Sequence, residues 1–349
     1  MATTDRGKQK HAVEQVKPLD PMPIIETTYA MCQTAVLLAA IELNLFTEIG
    51  RGHDTIDSLA EHTGGSARGL RILADALARM GFLEKAGQRY PLSPVSSQFL
   101  STDSPAYLGE FVRVHQGEVL RGGWFQLAQT IRSGKPPVAA IEDTDKFFAG
   151  LVQPLYTLSS PAAEAAASTI CERANTSKLR VLDIAAGSGV WSLPLARRDR
   201  HTRVTVVDLP GVIENVTRKF VEKAGATAQY EYLPGDLQDV DLGDAGYDVA
   251  ILGHICHGIG AERSMELFDR VYRALKRGGQ LLIAEIIPDD ERCEALFPLL
   301  FAVNMLAVTP EGDTFTRAEY EKWLLAAGFG EVLTIEAPAP SPLILARKS

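Results

Sequence analysis

The chain has 349 residues, 46% of them hydrophobic and 23% charged, with a net charge of −9. That length can hold two domains with separate cores. The acidic balance argues against a duplex nucleic-acid partner, whose phosphates need a basic surface. The four cysteines (Cys32, Cys171, Cys256 and Cys293) form no CxxC pair, so neither a disulfide framework nor a cysteine zinc site is indicated.

Residues 1–20 read as a flexible tail that lacks the apolar core of a signal peptide. No run of about 18 apolar residues stands out, so no membrane span is expected and the chain reads as soluble and cytoplasmic. Residues 21–105 read as a winged-helix domain. It opens with a helical stretch from about 24 to 50, where Leu38, Ile41 and Leu45 fall at helical spacing and Leu37 widens the stripe. A short helix, the turn Gly64-Gly65 and a second helix follow; Ser66 is its expected N-cap, and Leu70, Leu73, Ala74 and Leu77 line one face. The hairpin "FLEKAGQRYPL" completes the helix–turn–helix–hairpin pattern. Arg68, Arg71 and Arg79 lie on the second helix, but Asp75 dilutes them and the domain is not basic, which favours dimerisation over DNA binding.

Residues 106–177 read as helices rich in aromatics, forming a linker and a pocket segment. From 178 to 349 strands alternate with helices: "LRVLDIA", "TRVTVVDL", "AQYEYL", "YDVAILG" and "GGQLLIAEII", then a helix with the capping box Thr316/Glu319, then "EVLTIEA" and "SPLILARK". Five parallel strands and a terminal hairpin predict an α/β, Rossmann-like domain behind the helical N-terminal one.

The first of these strands ends in the turn Gly187-Ser188-Gly189, which opens a helix and lets a ligand approach the backbone. Asp183 stands just before it. A buried carboxylate there repels a pyrophosphate and suits an ammonium group. The third glycine of a dinucleotide loop is replaced by Ser192. These features disfavour NAD and favour a cationic amino-acid ligand such as S-adenosylmethionine (SAM). Asp208, at the end of the second strand, suits ribose hydroxyls. Asp236, after the third, is placed for the adenine side. Each of the latter two also reads as a turn residue on its own.

These motifs make the chain resemble the plant-type SAM-dependent small-molecule O-methyltransferases, a family with bacterial polyketide-tailoring members, over residues 25 to 346. "LDIAAGSG" matches its first motif, "VVDLP" its ribose motif and "GDL" its adenine motif, which brings Leu209 and Leu237 into the cofactor set. "ICHG" and "LLIAE" match the blocks that carry the catalytic histidine and a glutamate, here His257 and Glu285. The resemblance implies a class I methyltransferase domain, a winged-helix dimerisation domain, a homodimer, SAM as cofactor, no metal, and a small-molecule acceptor. Four features depart from the family pattern: Ala185 for a glycine, Gly258 for an aspartate, Thr314 for a second acid, and Gly253 or His254 where a basic residue often precedes the histidine.

An imidazole is a suitable base for an acceptor hydroxyl at neutral pH, and a carboxylate behind it fixes its tautomer. His257 and Glu285 follow neighbouring strands and so can meet. His254 reads as a loop or cofactor-adjacent residue. A metal site from His254, Cys256 and His257 lacks a clear fourth ligand. Trp124, Phe147, Tyr156, Phe297, Phe301 and Met305 are candidates for holding the acceptor, with core packing as the competing reading. The expected activity is methyl transfer to a hydroxyl of a small aromatic or polyketide-type secondary metabolite. Carbon methylation, a SAM-assisted rearrangement and a metabolite-sensing regulator stay open.

Overall fold

A computed structural model describes residues 19–115, 117–136, 144–174, 176, 178–338 and 341–349. The chain divides into two compact units between Ser97 and Gln98.

In the first unit, the opening helical stretch is two helices, Met22–Glu42 and Leu45–Gly50. Asn44 separates them with a left-handed backbone, φ 53°; its short polar side chain tolerates that conformation. Ala40, Ile41, Leu45, Phe46 and Ile49 are buried, whereas Ile24, Ile25, Tyr29 and Met31 are exposed. The helix Met22–Glu42 is long and apolar enough to cross a membrane by length and composition. Glu26, Thr27, Thr28, Gln33 and Thr34 interrupt it, so it is not a continuous apolar run.

Thr55 caps the helix Ile56–Thr63 by accepting from the Ser58 N–H, and Gly64 ends it at φ 70°. Ser66 caps the next helix, Ala67–Arg79, as its position predicts, and Leu70, Ala74 and Leu77 face inward. Antiparallel bridges Leu83–Leu92 and Ala86–Arg89 form the wing. Arg71 is paired with Asp75, which also takes hydrogen bonds from Lys85 and Tyr90.

The second unit carries seven strands: β1 (Arg180–Ile184), β2 (Arg203–Asp208), β3 (Tyr230–Pro234), β4 (Tyr247–Gly253), β5 (Leu275–Ala284), β6 (Phe329–Ile335) and β7 (Leu343–Lys348). Their order is β3-β2-β1-β4-β5-β7-β6. β1 to β5 run parallel, and β7 is antiparallel to both β5 and β6. The buried strands are nearly continuous apolar runs because both faces are covered. On one face the helix Thr144–Arg173 contributes Ala162, Ala163, Ala166, Ala167 and Ile170. On the other, Leu267, Phe268 and Val271 pack with Tyr320 and Leu324. The helix Arg317–Ala326 starts with the predicted capping box of Thr316 and Glu319. The strand order reverses beside β1, so the ends of β1, β2 and β4 open onto one crevice, where ligands of such sheets bind.

Candidate active site

The loop after β1 is built on left-handed backbone. Ala185, Gly187 and Gly189 have φ of 52°, 57° and 71°. Glycine adopts this region without a Cβ clash. Ala185 does so with one, which explains why a glycine is usual in the family pattern. The Ala185 N–H donates to the Val207 carbonyl at 2.8 Å.

Asp208 ends β2 and holds this loop. Its Oδ2 accepts the Gly187 N–H at 2.7 Å and its Oδ1 the Leu209 N–H at 2.8 Å. The predicted ribose acid is thus also a loop clamp. Asp183 is 1% exposed, and its Oδ2 has no hydrogen-bond partner among the described residues. Burial, against a Ser192 hydrogen bond and with help from nearby Asp208, pushes its carboxyl up to about 7. A buried, unpaired carboxylate oxygen is costly. Its match is a cationic group brought by a ligand, which fits the ammonium of SAM. Asp236 is exposed, and its Oδ1 accepts the Gln238 N–H at 2.9 Å, a turn-forming bond. Leu237 packs, half-buried, against the core.

Past β4 the chain turns sharply. Gly253 pairs with Ala284 of β5, and a Cβ on Gly253 would lie 2.5 Å from the Trp191 ring. His254 follows with φ 59°. The short helix Cys256–Ile259 then carries His257. Glu285 comes one residue after β5. Its side chain is fully buried and that of His257 is 15% exposed. Glu285 Oε2 meets His257 Nδ1 at 2.6 Å. Its Oε1 accepts the Cys256 N–H at 2.7 Å and the His257 N–H at 3.3 Å. Burial pushes the Glu285 carboxyl upward, but the charge and hydrogen bond of His257 and the nearby His254 outweigh it, holding the group below the usual carboxylate range. An ionised carboxylate only accepts, so Nδ1 carries the proton and Nε2 presents a lone pair. Burial lowers the His254 ring.

His254, His257 and Glu285 offer potential metal-ligand atoms within 4.8 Å of one another. Glu285 spends its oxygens on three hydrogen bonds to Cys256 and His257, the arrangement of a carboxylate that orients an imidazole.

The helix Leu296–Val308 brings the expected aromatics to this point. Phe301 stands edge-on to His257 with ring centroids 5.0 Å apart, and Phe297 lies 6.2 Å from Phe301. Met305 is buried on the same helix. Trp124 reaches that helix: its Nε1 donates to Asn304 Oδ1 at 2.8 Å. Tyr156 is placed elsewhere. Its hydroxyl accepts from Arg197 at 3.0 Å, its ring packs on Phe220, and it lines a cleft with Glu164 and Val190. Among the described residues Tyr156 makes no hydrogen bond or ring contact with His257. The Phe147 side chain lies outside the described residues. Thr314 is buried against the Pro298 carbonyl, and Asp313 contributes only a backbone N–H to the His257 carbonyl. Among the described residues, Glu285 alone supplies a carboxylate to His257.

Two groups escaped the sequence reading. Thr217 is buried and donates its hydroxyl to the Gly187 carbonyl at 2.6 Å; a threonine in a helix gives no signal of this. Asn304 is a lone amide in the run "LFPLLFAVNMLAV", and that contrast was the available clue.

Residues 158–330 match the O-methyltransferase domain family, and residues 25–102 match the O-methyltransferase dimerisation domain. The chain is 30% identical to the tetracenomycin polyketide synthesis 8-O-methyl transferase of Streptomyces glaucescens, over 94% of this chain and 97% of that one. It is 28% identical to the 3-hydroxy-5-methyl-1-naphthoate 3-O-methyltransferase of Streptomyces sahachiroi, over 92% of each. Its fold superposes on human N-acetylserotonin methyltransferase, solved with SAM, with a TM-score of 0.79 and 24% identity, covering 96% of this chain and 100% of that one. The carboxylate-rich strand ends, the glycine loop and these similarities make the chain a SAM-dependent member of the O-methyltransferase family.

Proposed function

We propose that the chain methylates a hydroxyl of a small aromatic, polyketide-type acceptor, with His257 as general base and Glu285 as the residue that positions it. The observation that carries this reading is the 2.6 Å contact between His257 Nδ1 and a fully buried Glu285 carboxylate. It leaves Nε2 as the proton acceptor of a ring that stands edge-on to Phe301. The names of the two Streptomyces relatives, a polyketide and a naphthoate enzyme, supply the acceptor class.

When bound, SAM supplies an electrophilic methyl carbon on a sulfonium. Asp183 would hold its ammonium group, with Gly187 and Gly189 presenting backbone; Asp208 and Leu209 would take the ribose, and Asp236 and Leu237 the adenine side. His257 Nε2 removes the proton of the acceptor hydroxyl as the oxygen becomes a nucleophile, a service worth roughly 10²–10⁴-fold. Glu285 fixes the ring tautomer and offsets the charge of the imidazolium that results. Phe301 and Phe297 offer flat apolar surface that holds an aromatic acceptor and excludes water.

The exposed side chains of Ile24, Ile25, Tyr29 and Met31 form an apolar face. Such a face marks an interface. Within a dimerisation domain, a second copy of the chain is the partner that covers it, giving a homodimer. Incubation of a phenol and polyketide panel with SAM, read by mass spectrometry, tests the activity. The expected product carries one added methyl on oxygen; methylation on carbon, or no methylated product from any phenol, contradicts the proposal.

A further inference from the structure

His254 combines two unfavourable features. Its backbone is left-handed, φ 59°, although it carries a bulky side chain. Its ring is half-buried between Trp191 and His257, with centroids 6.0 and 6.2 Å away, and has no hydrogen-bond partner among the described residues. Left-handed backbone at a bulky residue clusters at functional sites, and a ring whose nitrogens are neither bonded nor sealed from solvent is available to a ligand. Burial keeps the ring neutral, so it offers one N–H donor and one lone pair.

One candidate ligand atom of His254 lies within 4.8 Å of one of His257, so a single acceptor can reach both rings. Two oxygens roughly 2.5–3 Å apart, within hydrogen-bond range of each other, can each take one of the two rings. Ortho and peri oxygen pairs on an aromatic ring have that separation. A metal held by the same residues is the competing occupant, and the chelator arm of the test addresses it.

We propose that His254 reads a second acceptor oxygen, ortho or peri to the hydroxyl that is methylated, and so selects aromatic acceptors that carry such a pair. This rests on the reading that the acceptor hydroxyl meets His257.

The test is calorimetric binding to the full-length protein loaded with S-adenosylhomocysteine, which needs no turnover. An ortho-dihydroxynaphthalene is compared with the matching monohydroxynaphthalene. The native protein should favour the diol by about tenfold, the worth of one buried hydrogen bond. His254→Phe keeps a ring without nitrogens, and His254→Asn suits the left-handed backbone but is too short to reach. In both, the preference should fall to within about twofold, while the affinity for S-adenosylhomocysteine stays at the native level. A preference that survives in either variant, or is absent from the native protein, overturns the proposal. So does a matching loss of S-adenosylhomocysteine affinity, which would assign His254 to the cofactor, or a preference that a chelator abolishes, which would assign the pair to a metal. Turnover by His257→Ala is read separately: retained turnover refutes the base without altering the binding comparison.

Discussion

The Thr217 hydroxyl donates to the Gly187 carbonyl at 2.6 Å, across 30 residues of sequence and with no exposure to solvent. Thr217 closes a π-helical turn, Ile213–Thr217, that interrupts the helical run. Such turns are frequent at functional sites. Thr217 therefore holds the carbonyl side of Gly187 while Asp208 holds its N–H. Thr217→Val leaves that buried carbonyl unpaired, and SAM affinity should fall by roughly fivefold to a hundredfold. Thr217→Ser should stay near native. Equal affinity in all three proteins, measured by calorimetry, would mean the loop needs no such tie.

Asp183 predicts a conflict between stability and binding. A carboxyl raised from an ordinary 3.8 to about 7 favours its protonated form in the folded chain. The ligand-free fold is then fully stable with respect to this group below the unfolded value and loses stability as pH rises towards about 7, by on the order of 4 kcal/mol. On the proposed role of Asp183, SAM binding has the opposite sign, because its ammonium would need the ionised form, and affinity should rise with pH up to about 7 and then level. At pH values above that plateau, Asp183→Asn should raise the Tm of the ligand-free protein while weakening SAM binding. A variant that melts lower and still binds SAM as the native chain does would contradict the role.

The apolar face of the helix Met22–Glu42 predicts that Tyr29→Glu with Met31→Glu weakens self-association, because a charge on a buried interface loses hydration without gaining a partner. Sedimentation should show a dimer for the native chain at micromolar concentration and a shift towards monomer for the variant. A native monomer, or recovery of the native chain only with lipid or detergent, would reassign that face.

Much of this was legible because local chemistry and global fold agree. Ser66 and the Thr316/Glu319 box mark helix starts whose caps need no tertiary context. The apolar runs of β1, β2, β4 and β5 reveal a sheet covered on both faces. His257 and Glu285 could be paired because each follows one of two neighbouring strands. Legibility failed where function depends on a bond between distant segments. Nothing near Thr217 announces Gly187, and nothing in the aromatic character of Tyr156 announces its contacts with Arg197 and Phe220. The strain at His254 was equally hidden, since a left-handed histidine has no sequence signature beyond its place after Gly253.

On the proposed roles of His257 and Glu285, Glu285→Gln should lose less turnover than removal of the imidazole. The amide oxygen still accepts from Nδ1, but the charge that supports an imidazolium is gone. A loss larger than that of His257→Ala, with native SAM affinity, would give Glu285 a more direct part.

The most direct test of the account is single-turnover methyl transfer by His257→Ala, with SAM affinity measured on the same preparation. The expected result is native SAM affinity and a rate lower by roughly 10²–10⁴-fold, the worth of a general base. A rate within about threefold of native is far below that range; it would remove general-base catalysis by His257 and leave the buried pair with Glu285 without a catalytic role.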